Sequence, residues 1–469
     1  MTGSARAVHR SSSHSPRAHQ PAVGPPPVTT LPPIVVHRLG NGLDVCIVER
    51  HDLPVVDVRF IVRGGASEDP PEHAGHAYML GDLLDQGTER HSALEIAEQA
   101  DTLGASLETR ASWDSYAAAL HVLTPRIEPA LQLLADVMLN ATVPDAELER
   151  GRSERLAAIL QERDEPRTIA TQAFNRHAYD PAHPYSAPLA GTRESIAAVG
   201  RADLMALRRA QFAPASAFLV LTGDIAADAA LPLVERLFGG WTAQRTGAGG
   251  DGRASMQQRT PGSAARVHIV DRPAAPQSEL RVGRPGPARD TDDYFALLVA
   301  NTVLGGAFTS RLNMRLREEK GYTYGAGSRF AFRAGGGPFM ASTAVATAAT
   351  ADAVDVIVTE IERMTDEAVP DAELERAKNY VVLGLPASFE TTGNVAEHVV
   401  EVALYGLGRD YYGTYADHVR AVSAADVQAA SARWLGRAGL TIAIAGDAGS
   451  IAPELEALKI GDVNVDEYG

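Results

Sequence analysis

Two histidines three residues apart, His73 and His76 in PPEHAGHAYML, have a spacing that lets both imidazoles share one face of a helix. Metal-assisted hydrolysis needs such a pair plus an acidic general base. No Glu lies between these two, so they read as polar residues at a helix start. His183, in HPYSAP, reads as part of a loop or turn. The single cysteine, Cys46, excludes an internal disulfide and a Cys-rich zinc cluster, and its alternating run LDVCIVE makes it a buried strand residue. No G-x-S-x-G elbow is present for serine chemistry. Gly305-Gly306 in LGGAFTSRL has no following Gly-Lys-Ser/Thr, so it is no phosphate loop; it suits either the close approach of an extended peptide or a turn at a helix start. Gly335 to Gly337 before Pro338, and likewise Gly64-Gly65, fit turns.

The elements that must position any site come in two copies. VPDAELER occurs at Val143 to Arg150 and, letter for letter, at Val369 to Arg376. AVGRADL from Ala198 matches AVSAADV from Ala421, and the apolar run ending at Gly223-Asp224 matches the one ending at Gly446-Asp447. Constant offsets of this kind indicate two homologous domains. The first half opens with strand-like alternation, LDVCIVE then VVDVRFIV, after an Asn41-Gly42 hairpin turn, and runs on into amphipathic helices such as PRIEPALQLLADVML. Strands and helices without regular βαβ alternation predict an α+β fold: in each domain a mainly antiparallel sheet with packed helices, the two facing each other across a chamber. The expected boundaries are a disordered tail over 1–33, domains over 34–240 and 265–455, a Gly- and Ser-rich linker over 241–264, and a C-terminal tail over 456–469.

With 469 residues and 45% hydrophobic content, both domains can bury a full core. A formal charge of −16 leaves no basic excess for nucleic acid. No run of 18 apolar residues predicts a membrane span. The cytoplasm is the expected compartment, with the periplasm as the alternative if a signal peptide is hidden at the start.

The runs LGNGLDVCIVE, IVRGGASEDPPEHAGHAYMLGDLLDQGTERHSALEIAE, HPYSAPLAGTRESI and FLVLTGD, and in the second half GGAFTSRLNMRLREEKGYTYG, resemble the pitrilysin/insulinase family of zinc peptidases from about Ile34 to Ala448. Active members carry the inverted motif His-x-x-Glu-His shortly before a Gly-Thr pair. Counted back from Gly87-Thr88, those positions hold Tyr78, Gly81 and Asp82. The third ligand, a downstream Glu, corresponds to Gln161 or, with a one-residue shift, to Glu162. Two carboxylates without an imidazole make a poor zinc site. Zinc lowers the pKa of bound water from about 16 to about 7, on the order of 12 kcal/mol in hydroxide availability, and nothing else in the sequence replaces that.

The resemblance also implies an Arg and a Tyr, seven residues apart in the second domain, that hold substrate; Arg317 and Tyr324 stand at that spacing. Without the family context, Arg317 would be a solvated helix residue beside Arg311 and Arg315, and Tyr324 a packed strand residue. A retained Arg/Tyr pair beside a missing zinc motif implies the non-catalytic, substrate-binding subunit of a heterodimeric metalloendopeptidase. Such a chain binds no metal and is inactive alone; zinc and base reside in a homologous partner subunit, and the substrate is a peptide or unfolded polypeptide. The alternative is an inactive scaffold or peptide-binding member with no role in proteolysis.

Overall fold

The structure, a computed structural model, describes residues 33–246 and 265–466. The expected tail over 1–33 and linker over 241–264 therefore lie largely outside the described residues.

Twelve strands form two six-stranded sheets among the described residues. In the first half these are β1 (Val35–Arg38), β2 (Asp44–Glu49), β3 (Val55–Arg63), β4 (Ser106–Ala111), β5 (Ser115–Leu123) and β6 (Ala217–Gly223), in the order β1-β2-β6-β3-β5-β4. In the second they are β7 (Ala265–Asp271), β8 (Gln277–Pro285), β9 (Ala326–Phe330), β10 (Pro338–Ala346), β11 (Thr441–Gly446) and β12 (Gly461–Asp466), in the order β12-β7-β11-β8-β10-β9. Apart from the first edge strand of each, the two sheets match strand for strand. Only β2 with β6, β7 with β11 and β12 with β7 run parallel, so both sheets are mainly antiparallel.

The repeated sequences perform repeated work. Both copies of VPDAELER open a helix, Asp145–Glu162 and Asp371–Gly384, and the prolines before them adopt the same backbone angles, φ −58° and ψ 142°. Asp203 and Asp426 each accept a hydrogen bond, at 2.9 Å, from the N–H that precedes their helix, satisfying a donor the helix leaves orphaned. Gly335 to Gly337 form the turn between β9 and β10, as expected of a hairpin. The segment 456–469, expected to be a tail, instead supplies β12, which pairs in parallel with β7 along the sheet edge.

One long helical stretch, Tyr294–Glu319, is apolar enough by length and hydropathy to cross a membrane, with 56% of its apolar window buried inside the protein. Leu297, Val299, Val303, Leu304, Leu312 and Leu316 from it join the second core.

The halves exchange helices. Pro166–Ala178 of the first half packs Ile169, Ala173 and Phe174 against Val270, Met340, Ala443 and Ala445 of the second sheet. Thr392–Tyr405 of the second half packs Val395, Ala396 and Val399 against Cys46, Val48, Ile61, Phe218 and Val220 of the first. Burying one valine fully contributes about 1.5–3 kcal/mol, so these two clusters bind the halves firmly. Cys46 is the strand residue its alternation predicted; burial pushes its thiol up to about 11 and keeps it protonated.

Candidate functional site

The helix that would carry the inverted motif spans His76–Leu83. Ala77, Met79, Leu80 and Leu83 turn into the first core, which leaves the remaining positions to face outward or across to β4. Ahead of it, the buried Asp69 accepts a hydrogen bond from the Ala77 N–H at 2.8 Å, tying down the first turn. Burial pushes the Asp69 carboxyl up to about 7 despite that bond. His73 lies in the preceding turn and His76 begins the helix; their rings stack at 4.7 Å with planes 7° apart. Parallel rings do not converge on one ion, consistent with two polar helix-start residues.

At the first motif position, the Tyr78 ring lies 6.0 Å from the guanidinium of Arg155. At the general-base position, Gly81 brings the helix against β4 so closely that a Cβ would stand 2.3 Å from the Ala111 nitrogen and 2.6 Å from the Arg110 carbonyl carbon. No side chain fits there without moving backbone. Asp82, at the second imidazole position, is exposed.

Of the two candidates for the third ligand, Gln161 is exposed, whereas Glu162 is half-buried and held by Arg155 through two bonds, 2.5 and 3.0 Å long. Arg155 is itself buried and also donates to the Ala190 carbonyl at 2.8 Å. A fixed guanidinium thus stands beside both Tyr78 and Glu162 and neutralises the Glu162 carboxylate. The residues do not fit a zinc ion: no imidazole stands at the motif positions, the general-base position has no side chain, and of the two carboxylates Glu162 is already paired with a cation, which leaves Asp82 alone.

In the second half, Gly305 repeats the geometry of Gly81, 224 residues further on: its Cβ would lie 2.4 Å from the Ser328 nitrogen of β9. The peptide-approach alternative for Gly305 is thereby replaced; its open side meets its own sheet. Tyr324, by contrast, is 98% exposed and packs in no strand. It lines a cavity of about 960 Å³ whose floor is the outward face of β8, β10 and β9, with Glu279, Arg281, Arg329, Met340 and Ser342 pointing into it. The exchanged helix of the first half closes one wall through Arg167 and Thr171. Arg317 sits apart from this lining, on a π-helical turn (Met314–Glu319), with its guanidinium 4.4 Å from the ring centre of the exposed Phe308. No hydrogen bond joins Arg317 to Tyr324.

One group had no counterpart in the sequence reading. His177, His268 and Asp466 meet where the first half's exchanged helix crosses β7 and β12. His177 Nε2 is 2.6 Å and His268 Nδ1 3.4 Å from the Asp466 carboxylate, and the imidazoles stack at 3.5 Å. One ligand atom from each of the three lies within 4.8 Å of the others, close enough to hold a metal ion. Residues so distant in the chain give no local spacing signal.

Comparison with known proteins agrees with this architecture. The family model "Insulinase (Peptidase family M16)" matches residues 45–193, and "Peptidase M16 inactive domain" matches residues 198–381. An uncharacterized zinc protease of Mycobacterium leprae is 29% identical over 75% of this chain and 78% of its own length. One of Bacillus subtilis is 25% identical over 61% of this chain and 67% of its own. The crystal structure of a peptidase M16 inactive domain from Pseudomonas fluorescens superposes with a TM-score of 0.81 at 25% identity, covering 88% of this chain and 98% of that one. A protease structure from Helicobacter pylori superposes at 0.80 with 18% identity, covering 88% and 100%. With both domains matched in order, the chain belongs to the pitrilysin/insulinase family, peptidase family M16, as a member with Tyr78, Gly81 and Asp82 at the zinc-motif positions and an inactive-type domain over residues 198–381.

Proposed function

We propose that this chain is the substrate-binding subunit of a two-chain zinc peptidase. Zinc and general base come from a homologous partner, and the cavity of this chain holds the peptide or unfolded polypeptide being cut. The observation that carries this is Tyr324, an aromatic donor left 98% exposed at the mouth of a cavity of about 960 Å³, beside a first domain with no room for a general base. A phenolic O–H placed over a scissile carbonyl stabilises the charge that develops on its oxygen. Arg317, with its guanidinium 4.4 Å from the Phe308 ring centre, lies outside the cavity lining; in this reading its fork bonds backbone carbonyls or a carboxylate of the bound peptide. Neither contact requires a metal in this chain. An inactive scaffold is disfavoured because a large aromatic side chain standing free in water contributes nothing to folding.

The test is co-expression with a family member from the same genome that carries an intact His-x-x-Glu-His. The expected result is a heterodimer with zinc in the partner and peptidase activity absent from either chain alone. A partner fully active by itself, with no complex formed, would favour the scaffold.

A further inference from the structure

From the charge of the cavity we infer that the peptides taken up are acidic, each offering a carboxylate to Arg167 and Arg329. This rests on the proposal that the cavity binds peptide. The cavity lining contains Arg167, Arg281 and Arg329 but only one acid, Glu279. Two positive charges in excess are thus gathered in a chain whose net charge is −16.

The three guanidiniums differ in what they have left to give. Arg281 is buried and fully engaged: it donates to Glu279 at 2.9 Å, to the Thr171 hydroxyl at 3.0 Å, and to the Leu280 and Arg167 carbonyls at 2.8 and 3.1 Å. Its role is to stitch the first half's exchanged helix to β8. Arg167 and Arg329 are exposed and have no carboxylate within ion-pair distance among the described residues. They approach the cavity from opposite sides, one from the helix start and one from the edge strand β9. Burial above all, and then the nearby Arg167 and Arg329, lowers the pKa of Arg281, so the cavity carries mutually repelling cations with one neutralising acid. A bound carboxylate relieves that repulsion and gains up to two forked hydrogen bonds. Ser342 and Gln277 along the same floor add neutral donors suited to a peptide backbone.

The carboxylate can belong to an Asp or Glu side chain or to a free C-terminus, and the experiment separates them. Three fluorescent, unstructured peptides of equal length are titrated into the full chain at low salt: acidic with an amidated end, neutral with a free end, and neutral with an amidated end. A carboxylate-bearing peptide is expected to bind about tenfold tighter than the neutral amidated one, with the advantage shrinking as salt rises. The acidic and free-end peptides identify which source is used. The double variant Arg167→Gln/Arg329→Gln should remove the advantage, and Arg167→Glu/Arg329→Glu should transfer it to a lysine-containing peptide. Both sites are exposed, so folding is not at stake. Equal binding of all peptides, or no transfer on charge reversal, overturns the acidic preference while leaving peptide binding intact. Binding of no peptide overturns both.

Discussion

The contact between Gly81 and β4 makes a sharp prediction about rebuilding the zinc motif. Replacing Gly81 with Ala places a Cβ 2.3 Å from the Ala111 nitrogen and 2.8 Å from the Ala111 Cβ, with strand backbone rather than a mobile side chain as the obstacle. Forced overpacking of this kind costs about 1–3 kcal/mol, against a gain of about 1 kcal/mol from replacing glycine in a helix. Gly81→Ala should therefore destabilise by up to about 2 kcal/mol, and Gly81→Glu by more. Because the two halves unfold as one unit, about 1 kcal/mol shifts Tm by only roughly 1 °C at about 2.1 cal/mol/K per residue, and the expected loss for Ala is up to about 2 °C. The control is Gly384→Ala, at the end of a helix with nothing within 4 Å of the added methyl, which should be neutral or stabilising. Thermal unfolding of the two variants side by side, followed by circular dichroism, measures the difference. If Gly81→Ala melts at or above the temperature of Gly384→Ala, steric exclusion of a base at this position is refuted. The triple change Tyr78→His, Gly81→Glu and Asp82→His should accordingly yield a less stable protein without stoichiometric zinc, by metal analysis.

In the reconstituted complex, Tyr324→Phe should slow peptide cleavage by about a hundredfold at unchanged melting temperature; an unaltered rate removes it from the mechanism. Arg155→Met leaves the half-buried Glu162 without its hydrogen-bonding partner and should cost about 1–3 kcal/mol in urea unfolding. Asp69 has a folded pKa of about 7, above its ordinary 3.8, so its ionisation opposes folding; its stabilising effect is complete below pH 3.8 and lost as pH rises through 7. Asp69→Asn should therefore gain on the order of 2 kcal/mol over wild type at pH 8 and little at pH 4, read from denaturant midpoints at both.

The duplicated architecture was legible because VPDAELER recurs unchanged, and the loss of the zinc motif because Gly87-Thr88 fixes its register. What replaced the motif was not legible. Arg155 and Glu162 are seven residues apart on one helix, a spacing visible in sequence, yet only the fold turns both toward Tyr78. Gly81 looked like a missing acid; its steric reason lies in β4, some 30 residues away. Strand β12 escaped notice because GDVNVD mixes two acids with two valines at a sheet edge, where one exposed face needs no apolar pattern. The basic cavity draws Arg167 from one half and Arg281 and Arg329 from the other, so no window of the sequence contains it.

The exchanged helices couple the two halves thermodynamically. If the first half melts, the second loses Ile169, Ala173 and Phe174 from the face of its own sheet; the converse strips Val395 and Val399 from the first. A polypeptide with two cores would ordinarily denature in two steps, but here neither core keeps its roof without the other. A single calorimetric peak is expected, with the van't Hoff enthalpy equal to the calorimetric one.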